Sequence, residues 1–202
     1  MYYKPFYKFA MKFEVDRTTL TPRETSLLKL LDKQYTDDIG REVLLPLVTQ
    51  TSPASLRALD WCVTNWSKQH NVVCSSLTPG QLINIHHSYR NMLYFWKRRL
   101  FDPFRRRKRI TVVIHGEAYE TTLGQANFAL WTYKSGVLAY VLGHVHEIEQ
   151  DMNSVSQTQK RERKEAQKKG VRRRRRELTS TPRSLCVAYL APERVTFDES
   201  NE

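Results

Sequence analysis

A chain of 202 residues is long enough to bury one hydrophobic core and too short for several, so one domain, or one domain with a tail, is expected. Hydrophobic residues are 40% of the composition and aromatics 11%, lean enough to leave a minority of the chain outside that core. With 33 Lys+Arg against 21 Asp+Glu the net charge is +12 and the pI near 9.8, which excludes an acidic solvating protein and points to a polyanionic partner: nucleic acid, an anionic membrane or an acidic protein.

Residues 7–15 alternate, with Tyr7, Phe9, Met11, Phe13 and Val15 on one face, the period of a half-buried strand. Thr21-Pro22-Arg23-Glu24 then reads as a capping box opening a helix whose buried stripe is Leu27, Leu28, Leu30 and Leu31. Similar punctuation at Ser52-Pro53 and at Thr78-Pro79-Gly80-Gln81 predicts two more helices. Their stripes are Leu56, Leu59, Val63 and Trp66, and then Leu82, Ile85, Tyr89, Leu93, Trp96 and Leu100. Phe101-Asp102-Pro103-Phe104 ends the second, because proline cannot continue it.

The period then changes. Arg109–Ile114 is β-branched, His115-Gly116 suits a two-residue turn and Glu117–Thr121 returns, which predicts a hairpin. Thr122-Leu123-Gly124-Gln125 is a further capping box, opening a helix through Ala126, Leu130 and Tyr133. Gly136 then serves as its C-cap or a hinge. A following helix carries Leu138, Val141, Leu142, Val145, Ile148 and Met152 on one face. Residues 153–177 have no aromatic side chain, too little apolar surface to offset the entropy of ordering, and are expected as a disordered tether, with an isolated amphipathic or charged helix as the alternative. Leu185–Leu190 reads as a strand returning to the sheet beside the N-terminal one. The expected fold is α+β: a predominantly helical domain with a β-hairpin and short terminal strands, plus a disordered basic tail. The expected divisions are a globular part (1–152), a basic segment (153–178) and a C-terminal strand and tail (179–202).

The charge is concentrated in two blocks. Residues 153–176 hold 11 basic and 2 acidic side chains and residues 97–109 hold 8 and 1, which leaves −4 on the other 165. Concentration of this kind argues for a docking surface, since a merely basic solvated surface intersperses its charges. The first candidate face is Lys97, Arg98, Arg99, Arg105, Arg106, Arg107, Lys108 and Arg109, at a helix end and the loop into the hairpin. The second is Lys168, Lys169, Arg172, Arg173, Arg174, Arg175 and Arg176, cations that would read phosphate charge and not base sequence, and which also have the composition of a nuclear-import signal.

Other chemistry is less well served. Cys62, Cys74 and Cys186 cannot all pair and none stand in CxxC spacing, so neither a disulfide framework nor a zinc ribbon is indicated and a reducing compartment is the simpler expectation. Cys62, between Trp61 and Val63, reads as core. Lys4, Lys8 and Lys12 interrupt the apolar N-terminus, against a signal peptide, and no 18-residue apolar run exists. His86-His87 and His144-x-His146 lack the i, i+4 spacing of a zinc-binding helix. A helix-turn-helix around Gly136 would present an acidic recognition helix, so an αα-hairpin packing the core is favoured. Trp61, Trp66, Trp96 and Trp131 fall at core-compatible positions, and no P-loop, GxGxxG or GxSxG occurs. No cofactor is implied, and no enzyme is expected, although a metal-dependent nuclease assembles from scattered carboxylates that sequence spacing does not reveal.

Three stretches, ASLRALDWCVTNWSKQHNVV (54–73), YFWKRRLFDPFRRRKRI (94–110) and TTLGQANFALWTYKSGVLAYVLGHVHEIEQDMN (121–153), resemble an uncharacterised protein family of large nucleocytoplasmic DNA viruses. The resemblance covers residues 54–153 and transfers no active site. It implies a viral protein working around a large DNA genome or its particle. Charge and resemblance together give the expected function: a non-enzymatic viral DNA-binding protein, gripping the phosphate backbone in genome compaction, packaging or transcription, in the virion, the host nucleus or a viral factory. The alternative is an internal or minor capsid protein whose arms are ordered against other virion proteins.

Overall fold

The computed structural model describes residues 11–168, and these form an α+β fold, mostly helical, with two small antiparallel sheets. Strand β1 (Lys12–Glu14 among the described residues) buries Phe13 and exposes its neighbours, the alternation the sequence predicts. Residues 7–10 of the expected strand lie outside the described residues, as does the expected strand at 185–190. Helix α1 (Pro22–Gln34) starts on its capping box: the Glu24 amide donates to Thr21 Oγ1 at 3.3 Å and the Thr21 amide to Glu24 Oε2 at 2.9 Å. Leu27, Leu28 and Leu31 are buried, whereas Leu30 sits at the edge of the stripe, 37% exposed.

Helix α2 (37–49) is not among the expected elements. Thr36 caps it by accepting the Ile39 amide, and its middle, Gly40–Leu44, is wound as π-helix. Helix α3 (56–69) is capped by Ser55, not by Ser52-Pro53, and also contains a π segment, Cys62–Trp66. The expected start of the next helix is corrected. Thr78-Pro79-Gly80-Gln81 is a turn in which the Gln81 amide donates to the Thr78 carbonyl at 3.2 Å and Gly80 has φ +76°, the Pro-then-Gly pattern of a type II turn. It joins β2 (Val73–Ser75) to β3 (Leu82–Asn84), paired antiparallel with Cys74 opposite Ile83. Leu82 is consequently 71% exposed and outside the stripe. Asn84 then caps α4 (Ile85–Leu100), accepting the His87 amide at 3.0 Å, and Ile85, Tyr89, Trp96 and Leu100 face the core.

Strands β4 (Ile110–Ile114) and β5 (Glu117–Thr121) form the expected hairpin, Ile114 opposite Glu117, and β1 adds to β4 so that the sheet order is β1-β4-β5. His115 and Gly116 both have positive φ, as a type I′ turn requires. Helix α5 (Leu123–Lys134) buries every residue from Leu123 to Thr132, so it is the central rod of the domain and not an amphipathic surface helix. It packs against α1, α2, α4 and the next helix, α6 (Val137–Gly143). Gly136 separates α5 from α6 at φ +76°, where a Cβ would stand 2.3 Å from the Ser75 carbonyl oxygen. The single helix expected over 138–152 is broken at His144, and α7 (Val145–Lys168) begins after it. Leu142 is thereby left 44% exposed, while Ile148 and Met152 remain core. Residues 153–168, expected within the disordered tether, continue α7 as helix. The chain divides into a compact unit of residues 1–157 and a second of residues 158–202, within which Arg161 pairs with Glu165 one turn on at 3.6 Å.

Candidate nucleic-acid interface

The basic loop after α4 is rooted in the core. Asn127 Nδ2 donates to the Leu100 carbonyl at 2.8 Å and Gln125 Nε2 to the Pro103 carbonyl at 3.0 Å, while Gln125 Oε1 accepts from Thr121 Oγ1 at 3.0 Å. Buried amides and carbonyls need partners, and α5 supplies them here from side chains that would otherwise be unaccountably polar in a core helix. The Thr122 cap of α5 forms as predicted, accepting the Gln125 amide, but the Gln125 side chain turns to the loop instead of closing the capping box. Phe101, 1% exposed, lies among Tyr89, Phe128 and Trp131 with ring centroids 5.3–5.9 Å away. A Cβ on Gly124 would come within 3.3 Å of the Arg99 carbonyl oxygen, so the loop's root lies directly on the α5 N-terminus.

From this fixed base the eight cations diverge in role. Three are engaged by carboxylates of the same unit: Arg99 with Glu24 at 3.2 Å, Arg106 with Asp102 at 3.1 Å and Arg109 with Glu120 at 3.0 Å. Glu24 and Asp102 are buried, whereas the Arg109–Glu120 pair is half exposed and is the kind of pair that contributes only about 0–1 kcal/mol. Arg105 donates to the Glu120 carbonyl at 3.3 Å and Lys108 to Thr19 Oγ1, and the charge of Lys108 also acts on nearby Asp16. Among the described residues Lys97, Arg98, Arg105, Arg107 and Lys108 make no ion pair. Lys168 is the last residue of α7, and nothing of its side chain is described; Lys169, Arg172, Arg173, Arg174, Arg175 and Arg176 lie outside the described residues.

Between α3, the end of α4 and the loop is a cleft of about 220 Å³ lined by Asp60, Tyr89, Arg98, Asp102, Arg106 and Arg107, with Thr64, Phe101 and Pro103. Burial pushes the Asp60 carboxyl above its ordinary value, and Asp102 adds to the rise against the opposing pull of Arg106 and Arg98. Burial also pushes the Tyr89 hydroxyl up to about 12, with Asp60 contributing. Three guanidinium groups and two carboxylates line the cleft, and one of the three, that of Arg106, is engaged by Asp102.

The other expected sites resolve into structure. Cys62 is wholly buried and burial pushes its thiol up to about 12, the environment of an inert core cysteine. The His86 and His87 ring centroids are 6.3 Å apart, and no group of three or more potential metal ligands forms among the described residues. His144 donates through Nδ1 to the Tyr140 carbonyl at 2.9 Å and stacks on the Tyr140 ring, which ties the break between α6 and α7. Trp61, Trp66 and Trp131 donate to Asp151, Tyr140 and Ser88; Trp131 is buried in the core, and Trp61 and Trp66 pack partly buried against it.

Two aromatics missed by the sequence reading stand at the basic face: Tyr94, 79% exposed, and Phe95, 58% exposed. The signal was present, since neither falls on the buried stripe of Tyr89, Leu93, Trp96 and Leu100. Lys97 Nζ lies 4.7 Å from the Tyr94 ring centroid, and the Arg23 guanidinium 5.8 Å from that of Phe95.

A family model described as a family of unknown function, DUF7197, matches residues 10–183. The chain belongs to this family. The DUF7197 match takes in both basic blocks and reaches well beyond the 54–153 span that carries the viral resemblance. The chain is also 28% identical over 160 residues to an uncharacterized protein of Acanthamoeba polyphaga mimivirus, an alignment covering 75% of this chain and 62% of that protein. It thus spans somewhat under two thirds of that relative's length. No solved structure matches. No described helix is long and apolar enough to cross a membrane.

Proposed function

We propose that this DUF7197 chain is a non-enzymatic nucleic-acid-binding protein of a large DNA virus, holding DNA chiefly through its phosphates in genome compaction, packaging or transcription. The observation that carries this reading is the set of five cations, Lys97, Arg98, Arg105, Arg107 and Lys108, that make no ion pair among the described residues, on a loop whose root is bonded to the central helix. A pre-positioned cation loses less entropy on meeting a phosphate than one on a free chain. The cleft around Arg98, Arg106 and Arg107 supplies a seat for one phosphate, and the exposed Arg109–Glu120 pair can exchange its carboxylate for another. Lys168, Lys169 and Arg172 to Arg176 add sequence-independent attraction. The compartment that follows is the virion, the host nucleus or a viral factory.

Each neutralised phosphate adds about 0.9 to the slope of log affinity against log salt on duplex DNA, so five contacts from the loop give about −4.5. The test is a salt series with fluorescent duplex, comparing the full chain, Arg98→Gln with Arg105→Gln, Arg107→Gln and Lys108→Gln combined, and Arg172 to Arg176 all replaced by Gln. A slope that drops by about 3.6 in the loop variant supports the reading. Affinity indifferent to salt, or divalent-metal-dependent cleavage of the DNA, overturns it.

A second reading, a structural component of the particle, is favoured by the apolar surface of the β2–β3 hairpin, where Val73, Leu77 and Leu82 are each about half exposed or more. Weak DNA binding together with self-association that Leu77→Asp abolishes would replace the first reading with this one.

A further inference from the structure

We infer that Tyr94 and Phe95 form a stacking platform for unpaired nucleobases, so that the basic face takes single-stranded nucleic acid, or an unpaired end, in preference to continuous duplex. This deepens the proposed phosphate-binding reading and rests on it.

Large aromatic side chains left in water are the informative exception in a folded domain, and two adjacent ones on a helix call for an occupant. Residues 94 and 95 are separated by about 100° around α4, so the two rings present distinct faces for successive bases. Phe95 is set in place from two sides. Its ring meets the buried Trp96 edge-on at 4.8 Å and 88°, and its carbonyl accepts a hydrogen bond from the Arg23 guanidinium. Each ring has a cation over one face, Lys97 at Tyr94 and Arg23 at Phe95, so a base stacks on the opposite face. Immediately C-terminal, Lys97 holds φ 60° and ψ 163°, a backbone conformation that residues with a side chain avoid, in the middle of what is otherwise helix. The break lies between the two exposed rings and the unpaired Arg98.

Charge complementarity selects the occupant. An apolar protein partner would meet Arg23, Lys97 and Arg98 at the rim, whereas a nucleotide strand offers a flat π-face to each ring and a phosphate to each cation. Duplex DNA offers phosphates only, because its base faces are already stacked against one another. The arrangement of cations interleaved with exposed rings is that of sequence-tolerant single-strand binding.

The experiment measures the full chain against fluorescent 20-nucleotide poly-dT and a 20-base-pair duplex at one salt concentration, then repeats both with Tyr94→Ala/Phe95→Ala and with Tyr94→Phe. Both rings are exposed, and circular dichroism confirms that the variants remain folded. The expected result is that the double alanine variant loses about 10-fold or more of its poly-dT affinity and less than about 3-fold on duplex, with an unchanged salt slope on duplex. Tyr94→Phe keeps the poly-dT affinity because the ring remains. Equal loss on both substrates, or none on poly-dT, overturns the platform while leaving phosphate binding intact. Absence of binding to either probe in the unsubstituted chain overturns both readings, and self-association lost in the double alanine variant would assign the rings to a protein interface.

Discussion

Glu24 shows how one side chain serves two ends of the domain. Its carboxylate accepts from the Thr21 amide and hydroxyl, closing the first turn of α1, and from Arg99 Nη2 at 3.2 Å, holding the end of α4. Burial works against its ionisation, but the hydrogen bonds from Thr21 and the charge of Arg99 outweigh it, so the carboxyl stays below its ordinary value of 4.5. A group whose folded-state value is depressed stabilises fully above its unfolded value and loses that contribution as pH falls through the folded one. Thermal stability should therefore fall as pH drops below 4.5. Glu24→Gln should cost about 1 kcal/mol at neutral pH and flatten that acid decline. Equal acid sensitivity in the variant would show that other carboxylates control it. The Thr21–Glu24 half of this arrangement was legible in the sequence because the partners are three residues apart. The Arg99 half was not, because 75 residues intervene and no local pattern encodes the pairing.

At the scale of elements, local chemistry announced some starts and missed others. Thr21, Thr122 and the His115-Gly116 turn are each where the sequence put them, since caps and tight turns are satisfied by adjacent residues. The three-residue strand β3 was hidden because Leu82 fits the same 3.6-residue spacing as the helix behind it, and only the pairing with β2 decides its state. The break at His144 was hidden for the converse reason: the apolar spacing runs through it unbroken. The strained Lys97 has no sequence signal at all. Glycine adopts its φ of 60° freely, so Lys97→Gly should raise the unfolding free energy by about 1 kcal/mol while reducing the duplex salt slope by about 0.9, from the lost cation. Denaturant titration and the salt series measure the two separately, and a variant that is less stable would show that the conformation is not strained.

For the whole molecule, the sequence located the basic charge but not its use. Composition placed eight cations in residues 97–109, and the fold engages Arg99, Arg106 and Arg109 with carboxylates while the other five make no ion pair among the described residues. Nor did spacing reveal that α5 is buried on all sides, although Gln125 and Asn127 among its apolar residues were the trace of the loop they hold.

That burial has a kinetic meaning. Amide hydrogens in the helix that touches α1, α2, α4 and α6 exchange only when the whole domain opens, so α5 should be the slowest-exchanging segment of the protein. The basic loop is tied at Leu100 and Pro103 to that last-opening element, and not to a frayed surface one. On heating, the nucleic-acid binding proposed for this loop should vanish at the same midpoint as the helical signal, in one transition and with no earlier loss. A ligand that binds such a loop also slows exchange along α5, so protection at the hidden centre would report occupancy at the surface.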